Sequence, residues 1–426
     1  MNAPTLRAGG RPTRPPFWPI AVLLLGCLAA PFGLAGCDTA RATQTPPTPT
    51  TSPIPTSSAP APAAELSLAA AWGNVPIVRL PTDMGDNRFF VFENAVTPDG
   101  QWLVGVVEPR DFLTNTTRLS YLALYNVHTR QINRIRALLH PQSQVLGASI
   151  DDHWLAWSEA PDQPTFYDWT MFLYNRDTMQ VTELARAPRG PDGRAAPGPT
   201  TPPVVSGGHV LWSQPLAPIT QGDDASLNNI VVRLEDLATG QVTTLATRAG
   251  QSTLAWPWAA WGQITTGGGG YMTLKNLVTG QERHLPRQPA TLALSGTSVA
   301  YDDTTAVYLI DDVTAGTDPT TAGPGVEIAR AANEAEHLEF VTLNDRLVAW
   351  RQQVPQPPVW DRAQHRIVRL PTTNGESESW VGGHTLIWFE PEPQAQTQQD
   401  ERNGLNPLVT MNVIDTTSLP PAPPQG

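Results

Sequence analysis

The chain predicts an all-β fold, a β-propeller of seven four-stranded blades closed by a strand from near the N-terminus. Three observations carry this expectation. A short apolar run ending in an aromatic recurs at intervals of roughly 38–55 residues, the spacing of propeller blades. Each run is followed by two alternating strands joined by a tight turn. The six residues Ile-Val-Arg-Leu-Pro-Thr occur twice, at Ile77–Thr82 and at Ile367–Thr372.

The aromatic runs end at Trp157, Trp212, Trp261, Tyr301, Trp350 and Trp388, with a weaker first copy, Trp-Leu-Val-Gly, ending at Gly105. They are expected as the second strand (b) of each blade, with their aromatics filling the space between neighbouring blades. Before six of the seven lies a turn to an apolar first strand (a): Pro98–Gly100, Asp151–His153, Gly207–His209, Gly296–Ser298, Asn344–Arg346 and Gly382–His384. After each come strands c and d, as in LEDLATGQVTTL and LKNLVTGQERHL, where glycine accepts the positive φ of a hairpin turn. Blades are therefore expected near 89–138, 144–186, 203–248, 253–287, 291–332, 338–372 and 377–420. The last has strands a, b and c but no d. The strand Val75–Thr82 has no blade of its own and copies the d strand of blade six, so it is assigned to complete blade seven.

On these residues the blades resemble TolB-like and WD40-like propeller repeats. TPDGQWLVGVV is similar to the Ser-Pro-Asp-Gly turn and following strand of the TolB type, and Trp360-Asp361 resembles the WD dipeptide. The resemblance covers residues 74–420. It departs from TolB itself, which has an N-terminal α/β domain and six blades, so a role in the Tol envelope system is not implied.

The first 36 residues read as an export signal: Arg7, Arg11 and Arg14 precede the apolar run Ile20–Ala30. Leu34-Ala35-Gly36-Cys37 resembles the lipobox of bacterial lipoproteins, which implies cleavage before Cys37 and a diacylglyceryl group on its thiol. Leu24-Leu25-Gly26-Cys27 is a poorer match. Residues 37–73 are expected as the lipidated cysteine and a disordered tether. Within them Arg41–Ala64 is rich in Pro, Thr, Ser and Ala and buries too little apolar surface to fold. Residues 421–426 are expected as a disordered tail.

The net charge of -12 and pI near 5.1 over 426 residues oppose a phosphate-backbone partner, so nucleic acid is excluded as a target. Cys27 lies in the leader and Cys37 is taken up by the lipid anchor, which leaves the mature chain no disulfide, thiol nucleophile or cysteine-based zinc site. Lys275 is the only lysine, and a Schiff-base mechanism is disfavoured. No G-x-S-x-G elbow, H-E-x-x-H helix, Walker loop or EF-hand loop is present, and no residues after Pro420 remain for a hydrolase domain. The glycine run Thr265–Gly270 is read as a b–c loop.

His153, His209 and His384 all fall in a–b turns, but only two belong to adjacent blades, so no metal or cofactor is expected. Asp302-Asp303 and Asp311-Asp312 are read as solvated edges rather than calcium ligands. The a–b and c–d turns read as short throughout. The insertions Pro109–Ser120, Arg189–Pro203, Gln214–Asn228 and Pro391–Asn406 all fall in b–c or d–a loops, on the other face. Insertions gathered on one face of a repeat fold mark its binding face. The sequence therefore points to a monomeric, lipid-anchored, extracytoplasmic propeller that is not an enzyme and binds a protein or glycan there. The alternative is a propeller glycan hydrolase or lyase using carboxylates in the central funnel.

Overall fold

The computed structural model describes residues 65–111, 117–161, 168–196, 201–217, 229–265, 270–285, 289–314, 325–333, 336–352, 354–372 and 378–421. The export signal, Cys37 and the segment Arg41–Ala64 lie outside the described residues, as does most of the tail. Among the described residues no helix is long and apolar enough to cross a membrane.

Seven antiparallel sheets follow one another along the chain. Their inner strands are Arg88–Val96, Gln144–Ile150, Val204–Ser206, Ala249–Ala255, Thr291–Ser295, Leu338–Leu343 and Ser379–Gly382. Each inner strand packs against the next, and the seventh packs back against the first, so the sheets close into a ring. Four-stranded sheets repeated radially are a β-propeller. The aromatics expected between blades are there: Trp157, Trp212, Trp261, Tyr301, Trp350 and Trp388 are all buried. Each joins a separate apolar cluster shared with the preceding blade.

The ring closes as the duplicated hexapeptide foretold. Three short strands precede the long inner strand of blade one: β1 (Glu65–Ser67), β2 (Val78–Pro81) and Asp83–Gly85, which pairs with the start of that inner strand. β2 pairs antiparallel with Val409–Asp415, the c strand of blade seven, in the register Val78↔Val413 and Leu80↔Met411. The two copies occupy equivalent places. Leu80 and Leu370 are both fully buried, one between blades seven and one, the other between six and seven. The carbonyl of Pro81 accepts from Tyr125 Oη and that of Pro371 from Trp388 Nε1, each an aromatic of the following blade. The arginines Arg79 and Arg369 both pair with carboxylates, Glu390 and Glu65.

The weak first aromatic copy has a physical reason. A Cβ on Gly105 would lie 2.2 Å from Phe90 Cζ and 2.4 Å from the Val91 carbonyl oxygen. Phe90, on the neighbouring inner strand, fills the space that a b-strand tryptophan fills elsewhere, and packs edge-on against Tyr125 at 5.1 Å. One ring per junction is kept, supplied from a different strand.

Three expectations are corrected. Residues 65–73, assigned to the tether, are structured. β1 adds in parallel to Arg366–Arg369, the d strand of blade six, and leads into helix α1 (Leu68–Trp72). Ser67 caps this helix, accepting from Ala70 N, and Trp72 is buried between blades six and seven. Its Leu68 and Trp72, with Ala71 half-buried beside them, bury enough surface against the ring to order a single turn. Second, the c–d connections are not all short: in blade five Ala306–Ile310 and Val326–Arg330 are joined by residues 311–325. Third, Asp302 is not a solvated edge but fully buried.

Candidate functional site

Strand direction sorts the connections onto two faces. The a–b and c–d turns share one, here the hairpin face, and the b–c and d–a loops share the other, the loop face. On the loop face the blade-seven insertion contains helix α2 (Gln394–Arg402). Its buried Asp400 pairs with Arg110, at the start of the blade-one insertion. The Arg110 Nε donates to the Asn406 carbonyl at 3.2 Å, and Asn406 N donates back to the Arg110 carbonyl at 2.7 Å. The start of the blade-one insertion is therefore tied to the blade-seven insertion, distant in sequence. Leu119 and Leu216, at the edges of the blade-one and blade-three insertions, and Leu139, in the connection from blade one to blade two, are exposed. Residues 112–116, 197–200 and 218–228, the central parts of the other insertions, lie outside the described residues.

The inner wall carries the unusual backbone. The inner strands of blades one, two, four and six are each bulged, and each bulge holds a residue with positive φ: Asn94 (55°), Gly147 (111°), Gln251 (51°) and Phe340 (55°). Such bulges re-aim side chains and increase local twist. Glu93 lies in the first bulge, and Glu108, at the loop end of the b strand, pairs with Phe89 on the same inner strand. Both are half-buried. Burial pushes the Glu108 carboxyl up to about 8. Burial, and then the Glu108 charge, push Glu93 well above the usual carboxylate range. A carboxyl held protonated at neutral pH is able to act as a general acid.

Asp302 sits where blades five and six meet. Burial raises it to about 7, against the opposing effects of a hydroxyl bond from Thr291 and an amide bond from Thr304. Glu159, at the loop end of the b strand of blade two, is likewise raised by burial, with a bond from Leu139 N and the nearby Arg136 working against the shift.

The histidines singled out from the sequence are not brought together. His153 Nδ1 lies 2.8 Å from Asp177 on blade two, and His209 stacks on Trp256 at 3.6 Å. His384 lines a shallow recess of about 230 Å³ with Asn344, Arg346 and Gly383, between blades six and seven. Among the described residues no three His, Cys, Asp or Glu side chains are grouped to hold a metal. Asp303 and Asp312 accept from their own turn residues, and Asp311 accepts from Arg362.

Two repeated signals were readable but not used. The last residue of the c strand is Asn or Asp in six blades: Asn126, Asn175, Asp236, Asn276, Asp361 and Asp415. Its carboxyl or amide oxygen accepts from backbone N–H groups of the c–d turn, as Asp361 does from Ala363 and Gln364. This Asx turn sets the hairpin as much as the glycine does. Glu or Gln also stands two residues after the b-strand tryptophan, as in Trp212 and Gln214, whose indole N–H donates to Oε1 at 2.7 Å.

No protein-family model matches the chain, and no curated protein matches it. Solved structures do. TolB from Acinetobacter baumannii is similar over 55% of this chain, at 14% identity and a TM-score of 0.32; the match spans about half, 52%, of the TolB chain. The β-propeller domain of the Trilobed protease from Pyrococcus furiosus is similar over 72% of this chain and 90% of its own, at 7% identity and a TM-score of 0.43. BamB from Moraxella catarrhalis is similar over 78% and 99%, at 11% identity and a TM-score of 0.40. At such identities a likeness speaks to fold alone, and the seven sheets and their closure stand on their own geometry. The chain is a seven-bladed β-propeller, and the proteins it is similar to include TolB and BamB.

Proposed function

We propose that the protein is a non-catalytic scaffold, anchored through lipid on Cys37 outside the cytoplasm, that binds a protein or a glycan on its loop face. The observation that carries this reading is the tie between Arg110 and the α2 segment, through Asp400 and Asn406. A pre-ordered surface built from two insertions loses less entropy on binding than free loops would. The lipid anchor rests on the Leu34–Cys37 sequence and is tested by labelled palmitate: incorporation into the wild-type chain, and none after Cys37→Ala. Binding is tested by replacing Gln394–Gly404 with a short Gly-Ser turn and probing membrane extracts. Loss of partner capture with an unchanged melting temperature supports the reading. Capture retained by this variant but lost on changing the hairpin turns Thr239–Gln241 and Thr279–Gln281 reverses the faces.

A second reading follows from Glu93 and Glu108. Two raised carboxyls on adjacent strands of blade one, Glu93 on the inner strand and Glu108 at the loop end of the b strand, suit a glycan hydrolase or lyase that needs a protonated acid at neutral pH. Polysaccharide turnover by the purified protein, lost in Glu108→Gln, decides for the enzyme.

A further inference from the structure

The chain enters the ring on the hairpin face. β1 runs parallel to the d strand of blade six, with Glu65 opposite Ile367, just after the c–d turn. It therefore starts at the hairpin end and runs toward the loop end. The chain then doubles back through α1 to the hairpin end, where Gln364 donates from its side chain to the Ala71 carbonyl, and β2 starts there again. The far end of the ring returns to the same side. After Asp415 the chain turns, and the Pro420 carbonyl accepts from Arg346 Nη2 in the a–b turn of blade six.

The same face carries exposed apolar side chains at the outer tips of five blades. Met179 (75% exposed) and Val278 (68%) lie in c–d turns. Val242 (48%) and Val326 (63%) open d strands, and Ile77 (39%) precedes β2. Their positions, in blades two, four, three, five and seven, spread them round the rim instead of grouping them in one protein-sized patch. The exposed leucines of the loop face, by contrast, are confined to connections of blades one to three.

We propose that the hairpin face rests on the bilayer that holds the lipid anchor, with the apolar tips in the interfacial region and the loop face turned outward to its partner. This rests on the lipid-anchor reading. The occupant is a lipid surface for two reasons. An anchored chain keeps its point of entry, Glu65, nearer the bilayer than the far side of the ring, because a linker seldom reaches its full span. Rim-spaced apolar tips also suit a flat apolar surface that contacts all of them at once, where weak contacts held together by one tether reinforce each other. The acidic balance, -12 for the full chain and -12 - 3 = -15 once Arg7, Arg11 and Arg14 leave with the leader, selects uncharged lipid, since anionic headgroups repel an acidic protein.

The test uses the full, lipidated chain in phosphatidylcholine vesicles. Single cysteines at Val326→Cys on the hairpin face and Leu216→Cys on the loop face carry a fluorophore, and spin-labelled lipids quench it. Quenching several-fold stronger at 326 than at 216 is expected. Adding Met179→Asp and Val278→Asp, both exposed, is expected to abolish the quenching at 326 while the protein still floats with the vesicles. Flotation with equal quenching at both positions, or stronger quenching at 216, overturns the orientation alone. Failure to float with the vesicles overturns the anchor and the orientation together.

Discussion

The indole Nε1 of Trp72 donates to Asp361 Oδ2 at 2.9 Å, across 289 positions of sequence. Asp361 is fully buried and also accepts from Arg346 Nη2 at 2.9 Å and from the turn amides of Ala363 and Gln364. One carboxylate thus holds its own hairpin, the a–b turn of its blade and the segment that leads into the closing strand. A buried acceptor of this kind is costly to leave with a partner missing. Trp72→Phe removes the N–H donor together with part of the buried ring volume. It should cost at least about 1.5–3 kcal/mol, the range for a hydrogen bond to a charged group, with a cavity contribution added, read as a lower denaturant midpoint at unchanged slope.

Gly105 and Phe90 share one space. Gly105→Ala should destabilise the ring by about 3 kcal/mol, because overpacking here meets backbone as well as a side chain. Phe90→Ala in the same chain should recover only part of the loss, since the Val91 carbonyl oxygen stays 2.4 Å from the new Cβ. A double mutant whose loss is the plain sum of the two single losses would show that the two residues do not share a space.

How much of this was legible in sequence depended on repetition. The closing strand was visible because its environment copies that of the blade-six d strand, down to the buried leucine and the paired arginine. Strand β1 and helix α1 repeat nothing, so Glu65–Trp72 looked like the end of a tether; only contact with Asp361 and the cluster between blades six and seven shows why it folds. The same holds for the inner wall. Glu93 and Glu108 are 15 residues apart in sequence with no motif around them, and only the pairing of their two strands brings the Glu108 charge near enough to act on Glu93. The loop-face insertions were legible as lengths, whereas the tie between Arg110 and Asp400 was not, because no local pattern links positions so distant.

Three c–d turns place a residue other than glycine at the positive φ where Gly240 and Gly280 sit: Arg130, Met179 and His365. The left-handed conformation costs an L-residue about 1–2 kcal/mol, of which glycine's extra unfolded-state freedom takes back a part. Met179→Gly should therefore stabilise the protein by about 0.5–1 kcal/mol. Gly240→Ala should destabilise it. Both are read from thermal melts, and a destabilised Met179→Gly would mean the exposed side chain makes contacts that outweigh its strain.

Asp302 makes stability depend on pH. Its folded value is raised to about 7 from an ordinary 3.8, chiefly by burial. Between these values the native state binds the proton that the unfolded chain has released, so stability falls as pH rises. The contribution is full below about pH 4 and lost by the time pH passes 7. Asp302→Asn keeps an acceptor for Thr304 N and cannot ionise. It should melt higher than wild type at pH 8, with a flatter profile between pH 4 and 7. An unchanged profile would show that Asp302 titrates near its ordinary value.

The central claim is that β2 closes the ring, in the register that sets Arg79 opposite Asn412. Arg79 Nε already donates to Asn412 Oδ1 at 3.2 Å, and paired residues on antiparallel strands lie within disulfide reach. The direct measurement is oxidation of the double variant Arg79→Cys with Asn412→Cys, followed by peptide mapping. The closed ring predicts one intramolecular disulfide joining 79 to 412, in a monomer that melts no lower than its reduced form. A folded protein in which both thiols stay free, or in which 79 links only to 412 of a second copy, would contradict it.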